Sequence, residues 1–586
     1  MKNTLKRGLA YTRILRDAPP AKFTFWLVFL LLTACNISPA ATPTNPIPQT
    51  PLPTATVSPS PSTPPTPVQV ATPLPTSSDP ITPEASPISL FLPPYLPDEF
   101  VASLALPQHI FLTDLLTATL RLETGAPPAS LWIYALAVPF PTITDGVTLT
   151  DLLSSWAGAP SGPFAGEPLL MDEHTLGMFS AWWGAPASGM VETIPAELLL
   201  DEAWQRPAAW ALMPFEALHP RWKVLEIDGQ SPVRRDFDPA SYPLSIPLRI
   251  SVSAPLAQAI TLQDLGLPAT NRDASRLTVL NMTGVTAMVR GTALWMEYYG
   301  VTYPAQDIGS LLSSADLTHI SNEIPFSPDC PFPELYPTQL VFCSSPRYME
   351  LLEAVGADLI ELTGDHFDDY GPEATLYTLS LYQQAGLPYY GGGANTTEAR
   401  APLLIEHNGN HFAFLGCNIG CQVKNEVPCT ALATETTPGA ALCDFAWLES
   451  ETSRLSSAGY LVIITFQHKE YYTYTVQPDL VHDFGMAAAA GATIVSGSQA
   501  HQPHGFSIDN DHFIHYGLGN LFFDQYHYCA GYACDDAFID RHIFYNGRHI
   551  ATELLTIRFI DLARPRPMTA EERADFLEII FDASGW

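Results

Sequence analysis

The sequence predicts an α/β protein: an α/β sandwich over residues 271–586, preceded by a smaller α/β domain over 89–270 and a disordered Pro/Thr-rich stalk over 36–88. Three observations lead there. From about residue 275, short apolar runs alternate with amphipathic ones, the rhythm of repeated βαβ units. Residues 36–88 are almost wholly Pro, Thr, Ser, Ala and Val with scarcely a charge, and such a tract cannot bury a core. The rest of the chain, about 500 residues, exceeds one ordinary core, so two globular parts are expected.

Residues 1–35 read as an export signal. Lys2, Lys6, Arg7, Arg13, Arg16 and Lys22 form a positive segment ahead of an apolar run, Phe23 to Leu32. That run is shorter than the roughly 20 residues that span a bilayer. It ends in Leu32-Thr33-Ala34-Cys35, which resembles a lipobox. The resemblance implies that Cys35 receives a diacylglycerol and holds the protein at the extracytoplasmic face of the cell membrane. The stalk then lifts the globular part outward in semi-extended form with much polyproline II character.

A formal charge of −33 repels nucleic acid and anionic headgroups, and no basic patch interrupts it. Nucleic-acid binding is excluded. Of nine cysteines, eight remain after Cys35, an even number that reads as disulfides in an exported protein. Cys330 with Cys343, and Cys529 with Cys534, form plausible local loops. Cys417, Cys421, Cys429 and Cys443 can pair in three ways. No two CxxC pairs occur, which disfavours a zinc site on these cysteines.

Within the smaller domain, SLWIYALAVPF reads as a strand. TLTDLLSSWAG reads as a helix opened by Thr148 or Thr150, and AWALMPFEALHPRWKVLEID as strand, turn, strand. Met213 to Leu218, Lys223 to Gly229 and Tyr242 to Leu244 resemble a fragment of the periplasmic solute-binding fold, which implies a ligand-binding or docking module. In the larger domain LTVLNMTG, DLIELTG, HFAFLGCN, YLVIITFQH, ATIVSGS and FIHYGLGN read as strands. PRYMELLEAVGA, ATLYTLSLYQQAG and DLVHDFGMAAAAGA read as helices. Asn546-Gly547 marks a hairpin. Polar residues past strand C-termini gather in one crevice in such folds. Asp365-His366, Gln467-His468 and Ser498 to His504 fall there. Gly391 to Gly393 reads as a turn, since no lysine comes after it to make a phosphate cradle.

Five blocks in order carry a family resemblance: GVTAMVRG (Gly284–Gly291), ADLTHISNEIPF (Ala315–Phe326), TGDHFDDYG (Thr363–Gly371), GATIVSGSQAHQPHGF (Gly491–Phe506) and YGLGNLFFD (Tyr516–Asp524). Together they resemble the CapA family of capsule and poly-γ-glutamate synthesis proteins, whose sandwich fold is related to the calcineurin-like metallophosphoesterases. The resemblance implies one or two divalent metals (Mn, Fe or Zn) bound by carboxylate and imidazole, polarising a carbonyl or phosphoryl oxygen. It assigns Asp365, His501 and His468 to metal, and His366, Glu323 and Arg290 to catalysis. Glu323 and Arg290 could equally form a buried ion pair.

The departures matter too. Val285 stands where the family has its first Asp, and Ser498-Gln499 replace paired histidines. Gln467-His468-Lys469-Glu470-Tyr471 replaces HWGxEY with one residue fewer. A site so reduced is expected to bind metal weakly or at a single ion, with little hydrolysis. The expected role is capsule or poly-γ-glutamate metabolism at the cell surface, with an anionic polymer or the capsule machinery as partner. A metal-dependent hydrolase of an amide or phosphoester, and a non-catalytic scaffold, are the rival expectations.

Overall fold

The structure, a computed structural model, describes residues 88–586 apart from 207, 253–264, 267, 420–430, 510, 526–528 and 530–533. The export signal, Cys35 and nearly all of the Pro/Thr tract lie outside the described residues, as do Cys421 and Cys429.

Residues 88–252 form a nine-stranded mixed sheet. Its long strand Ser130–Pro139 is buried along almost its whole length and pairs antiparallel with Trp210–Pro214, Trp222–Val224 and Ser245–Val252. The apolar stretch LWIYALAV is continuous because helices cover one face and the larger domain the other end. Helix Leu149–Trp156 starts at Thr148, whose side chain and that of Asp151 form a reciprocal capping box. The core runs on into the larger domain: Tyr545 stands edge-on to Phe215 at 5.0 Å, and Leu277, Val279 and Ile550 share the cluster.

The larger domain contains β1 (Leu277–Thr283), α1 (Arg290–Tyr299), β2 (Leu317–Asn322), β3 (Leu359–Glu361), α2 (Gly371–Ala385), β4 (Asn410–Asn418) and α3 (Phe445–Ser457). It continues through β5 (Leu461–Gln467), α4 (Pro478–Ala489), β6 (Ile494–Ser496), β7 (His512–His515), β8 (Asp536–Tyr545), β9 (Arg548–Phe559) and α5 (Ala570–Ser584). One sheet runs β3-β2-β1-β8-β9, its first three strands parallel and its last two antiparallel. A second runs β4-β5-β6-β7, all parallel.

Period-two alternation stacks these into four layers. On β5, Leu461 and Ile463 face the first sheet, with Leu280 and Met282 of β1 in one cluster. Val462, Ile464 and Phe466 face the other way, onto Leu448 and Leu455 of α3 and Leu480 and Phe484 of α4. Ile320 and Ile360 of the first sheet meet Met296 of α1 and Tyr382 of α2. The order is helices, sheet, sheet, helices: the α/β sandwich expected from the sequence. FIHYGLGN, read as one strand, is instead β7, a turn and the short strand Asn520–Phe522. The C-terminal helix α5, opened by a Thr569–Glu572 capping box, was not read from the sequence.

Disulfides join Cys330 to Cys343, Cys417 to Cys443 and Cys529 to Cys534.

Candidate metal centre

Five polar residues converge at the C-terminal ends of parallel strands from both sheets. Glu323 directly follows β2, and Asp365 and His366 lie in the loop after β3. Glu470 follows β5 and His501 follows β6. They line a cavity of about 230 Å³ together with Arg290, Tyr472, Gln525, Leu340, Phe342 and Phe523. Gly364 lets the loop after β3 approach: a Cβ there would lie 2.4 Å from the Glu323 carbonyl oxygen.

Donor atoms of Glu323, Asp365 and His366 all lie within 4.8 Å of one another. Glu323 is fully buried, and its Oε2 has no hydrogen-bond partner. Burial pushes its carboxyl up to about 7, helped by Asp365 and Glu470 and opposed by His501 and His366. His366 donates from Nδ1 to Asp369 Oδ2 at 2.7 Å, an oxygen that also accepts the Phe342 N–H. Its Nε2 is thereby left toward the cavity, the arrangement that orients metal-binding imidazoles. Burial opposes charge on His366, yet the hydrogen bond to Asp369 and the negative charge of Asp365 and Glu323 raise it to about 10.

His501 is oriented in the same way. Asn520 Nδ2 donates to the backbone oxygens of His501 and Cys534, so its Oδ1 must accept from His501 Nδ1, 2.9 Å away. His501 Nε2 then points at Glu323 Oε1 (3.7 Å) and Glu470 Oε1 (3.6 Å). Glu470 is held by Tyr472, whose hydroxyl donates to it at 2.7 Å and accepts from Gln525.

Arg290 keeps its place at the site with another partner than Glu323, and His468 stands elsewhere than the sequence alone puts it. Arg290 lines the cavity, but its guanidinium pairs with Asp524 (3.2 Å) and donates to Gln525 (3.0 Å), not to Glu323. Phe523 lies under it at 4.3 Å. His468 is turned away: its Nε2 meets Asp483 of α4 at 2.9 Å and its ring lies against Phe484. The reason is strand parity. Residues 462, 464 and 466 share the helix-facing side, and His468, one residue past the strand, continues it; Glu470 lies in the loop beyond, where the alternation has ended, and reaches the cavity. Glu470 and Gln525 are polar cavity residues to which the sequence reading assigned no role.

Where the family pattern has further ligands, this chain has filled the space. Val285 is buried among Ala287, Val289, Ile324, Phe342 and Phe523. Ser498 donates to Glu361 at 2.5 Å and Gln499 to Ser321 at 2.8 Å. Burial opposes the charge of Glu361, but hydrogen bonds from His319, Ser498 and Thr363 hold its carboxyl below the usual range. Both Glu361 oxygens are thus satisfied without a metal, whereas Gln499 Oε1 is buried with no hydrogen-bond partner.

Residues 270–525 match the model of the family described as bacterial capsule synthesis protein PGA_cap. The chain is 23% identical over 312 residues to the capsule biosynthesis protein CapA of Bacillus anthracis, covering 52% of this chain and 72% of that protein. Among solved structures, an ABC-type phosphate transport receptor from Vibrio cholerae is 10% identical with a TM-score of 0.23, covering 29% of this chain and 88% of its own. A hypothetical protein from Thermus thermophilus is 12% identical with a TM-score of 0.31, covering 49% of this chain and 99% of its own. Likeness at that level carries no argument. The matched family model, by contrast, spans the cavity and most of the sandwich: residues 270–525 form a CapA-like domain, similar to the capsule synthesis family.

Proposed function

We propose that the protein works on an extracellular capsule polymer, held at the outer face of the cell membrane through a lipid on Cys35, and that its cavity takes one divalent cation. The observation that carries this is the meeting of Glu323, Asp365 and His366 within 4.8 Å, with a buried Glu323 oxygen that no hydrogen bond satisfies. Carboxylate and imidazole together suit Mn, Fe or Zn. Glu323, Asp365 and His366 would hold the ion, with His501 beside them; a bound ion would supply Lewis acidity toward a carbonyl or phosphoryl oxygen. A second ion lacks ligands, since Val285 and Ser498 occupy that half.

The chain's own residues supply the rest. Asp369 fixes the His366 ring, and Asn520 fixes that of His501. Arg290, stacked on Phe523 and paired with Asp524, keeps the wall rigid while presenting limited positive charge. No helix among the described residues is long and apolar enough to cross a membrane.

The test is to incubate the purified, metal-loaded protein with capsule polymer from the producing cells and track chain length by size-exclusion chromatography. Shortening that is lost in Glu323→Gln supports a hydrolase. Unchanged chain length, with capsule still lost from cells lacking the protein, favours the scaffold role.

A further inference from the structure

A second cavity, of about 230 Å³, lies where the smaller domain meets the sandwich, and it shares no lining residue with the metal centre. Phe140, Lys223 and Arg234 reach it from the smaller domain, Glu553 from β9, and Leu577 and Phe581 from one face of α5. Apolar side chains make most of its wall, and junctions between domains are where small molecules commonly bind.

Charge along the wall is balanced: Lys223, Arg234 and Arg573 stand against Asp145, Glu226 and Glu553. Most of these groups satisfy one another. Asp145 accepts from Arg573 at 2.7 and 2.8 Å and from Lys223 at 2.7 Å. Lys223 also donates to the carbonyl oxygens of Thr142 and Ile143, and Arg234 pairs with Glu226 through Nη2. Glu553 is the exception. Its Oε1 lies 3.4 Å from Arg234 Nε and its Oε2 lies 3.9 Å from Arg541 Nη1, near enough to pair charge. Yet Glu553 Oε2 and Arg234 Nε are both buried without a hydrogen-bond partner. An acceptor and a donor thus stand side by side, unsatisfied, against an apolar cavity, an arrangement that costs stability until something fills it.

A charged ligand would upset the balance and bury a charge without a partner of its own. A single hydroxyl would have to serve both atoms from one oxygen. An amide offers its donor and its acceptor on neighbouring atoms and carries no charge. We infer that the junction cavity binds a neutral amide on an apolar body. Its N–H donates to Glu553 Oε2, its carbonyl accepts from Arg234 Nε, and its body lies against Leu577 and Phe581.

Isothermal titration of the intact protein with hexanamide at millimolar concentration tests this, beside hexanoate, hexylamine and hexanol, which keep the chain and change the head group. Hexanamide is expected to bind, and the other three about tenfold more weakly or not at all. Glu553→Gln, which keeps the shape and removes the charge, and Met568→Trp, which fills the cavity from its wall, are each expected to weaken hexanamide about tenfold. Any of the other three compounds binding as tightly as hexanamide overturns the amide assignment. Hexanamide binding indifferent to Glu553→Gln, in protein with the wild-type unfolding midpoint, overturns the role of Glu553; indifference to Met568→Trp puts the ligand elsewhere. No binding of hexanamide to the wild type overturns the site, and that arm decides even where a variant fails to fold.

Discussion

Arg290 adopts a positive φ of 43°, a backbone region that costs a long side chain energy. Its guanidinium offsets this by pairing with Asp524 at 3.2 Å, both side chains almost wholly buried. Burial raises the Asp524 carboxyl above the usual range, and Arg290 and the Gly291 N–H pull it back. Removing one partner leaves the other charged and buried, so Asp524→Ala should cost about 3–5 kcal/mol in urea unfolding. A loss below about 1 kcal/mol would show that the pair is solvated. Val285 makes the opposite case. It packs in an apolar cluster, so Val285→Asp, though closer to the family motif, buries an unpaired carboxylate. The variant should lose about 3 kcal/mol. Mn²⁺ should restore part of that, because an ion bound only by the folded state stabilises it. Equal melting with and without Mn²⁺ would show that the new carboxylate does not reach an ion.

Strands and helices of the sandwich were legible because β4, β5 and β6 read as short apolar runs and α2 and α4 as amphipathic ones. The hairpin turn was legible from Asn546-Gly547, whose φ values of 52° and 75° are those its residue types favour. Gly547→Ala should destabilise the β8–β9 ladder by about 1 kcal/mol, read as a lower chemical-denaturation midpoint; an unchanged midpoint would mean the turn is not under that constraint. Helix α5 was missed because its burial is decided by distant partners: Phe576 packs on Phe538 of β8 at 4.8 Å. Of the site, Glu323, Asp365, His366 and His501 were legible as polar residues past strand ends. His468 was misplaced because residue type was weighed without counting parity along β5, and Glu470 was passed over because it lies in the loop beyond Gln467, where parity gives no direction. The partner of Arg290 could not be read, since Asp524 lies 234 residues away.

Across the chain, several histidines are buried in neutral form. Burial pulls His504 down to about 4 and His549 to about 3, and it holds His542 well below the usual range, where His549 and His515 add to the effect. Unfolded imidazoles bind protons near 6.5. Below that pH the unfolded chain therefore holds more protons than the folded one, and stability is full above about 6.5 and falls toward about pH 4. His366 has the opposite sign: its contribution is complete below its ordinary value and declines as pH rises toward about 10, so it offsets a minor part of the loss that three histidines share. Thermal unfolding should show a midpoint several degrees lower at about pH 5 than at about pH 7.5; a flat profile would contradict the buried neutral histidines. The sandwich brings both sheets' strand ends to one cavity, and the claim resting on that arrangement is a single cation among Glu323, Asp365 and His366. Anomalous diffraction at the Mn edge, from crystals of protein loaded with Mn²⁺, tests it most directly. The account predicts one peak, bounded by those three side chains, and none beside Val285 and Ser498. No peak in the cavity, or a second peak on the Val285 side, would contradict it.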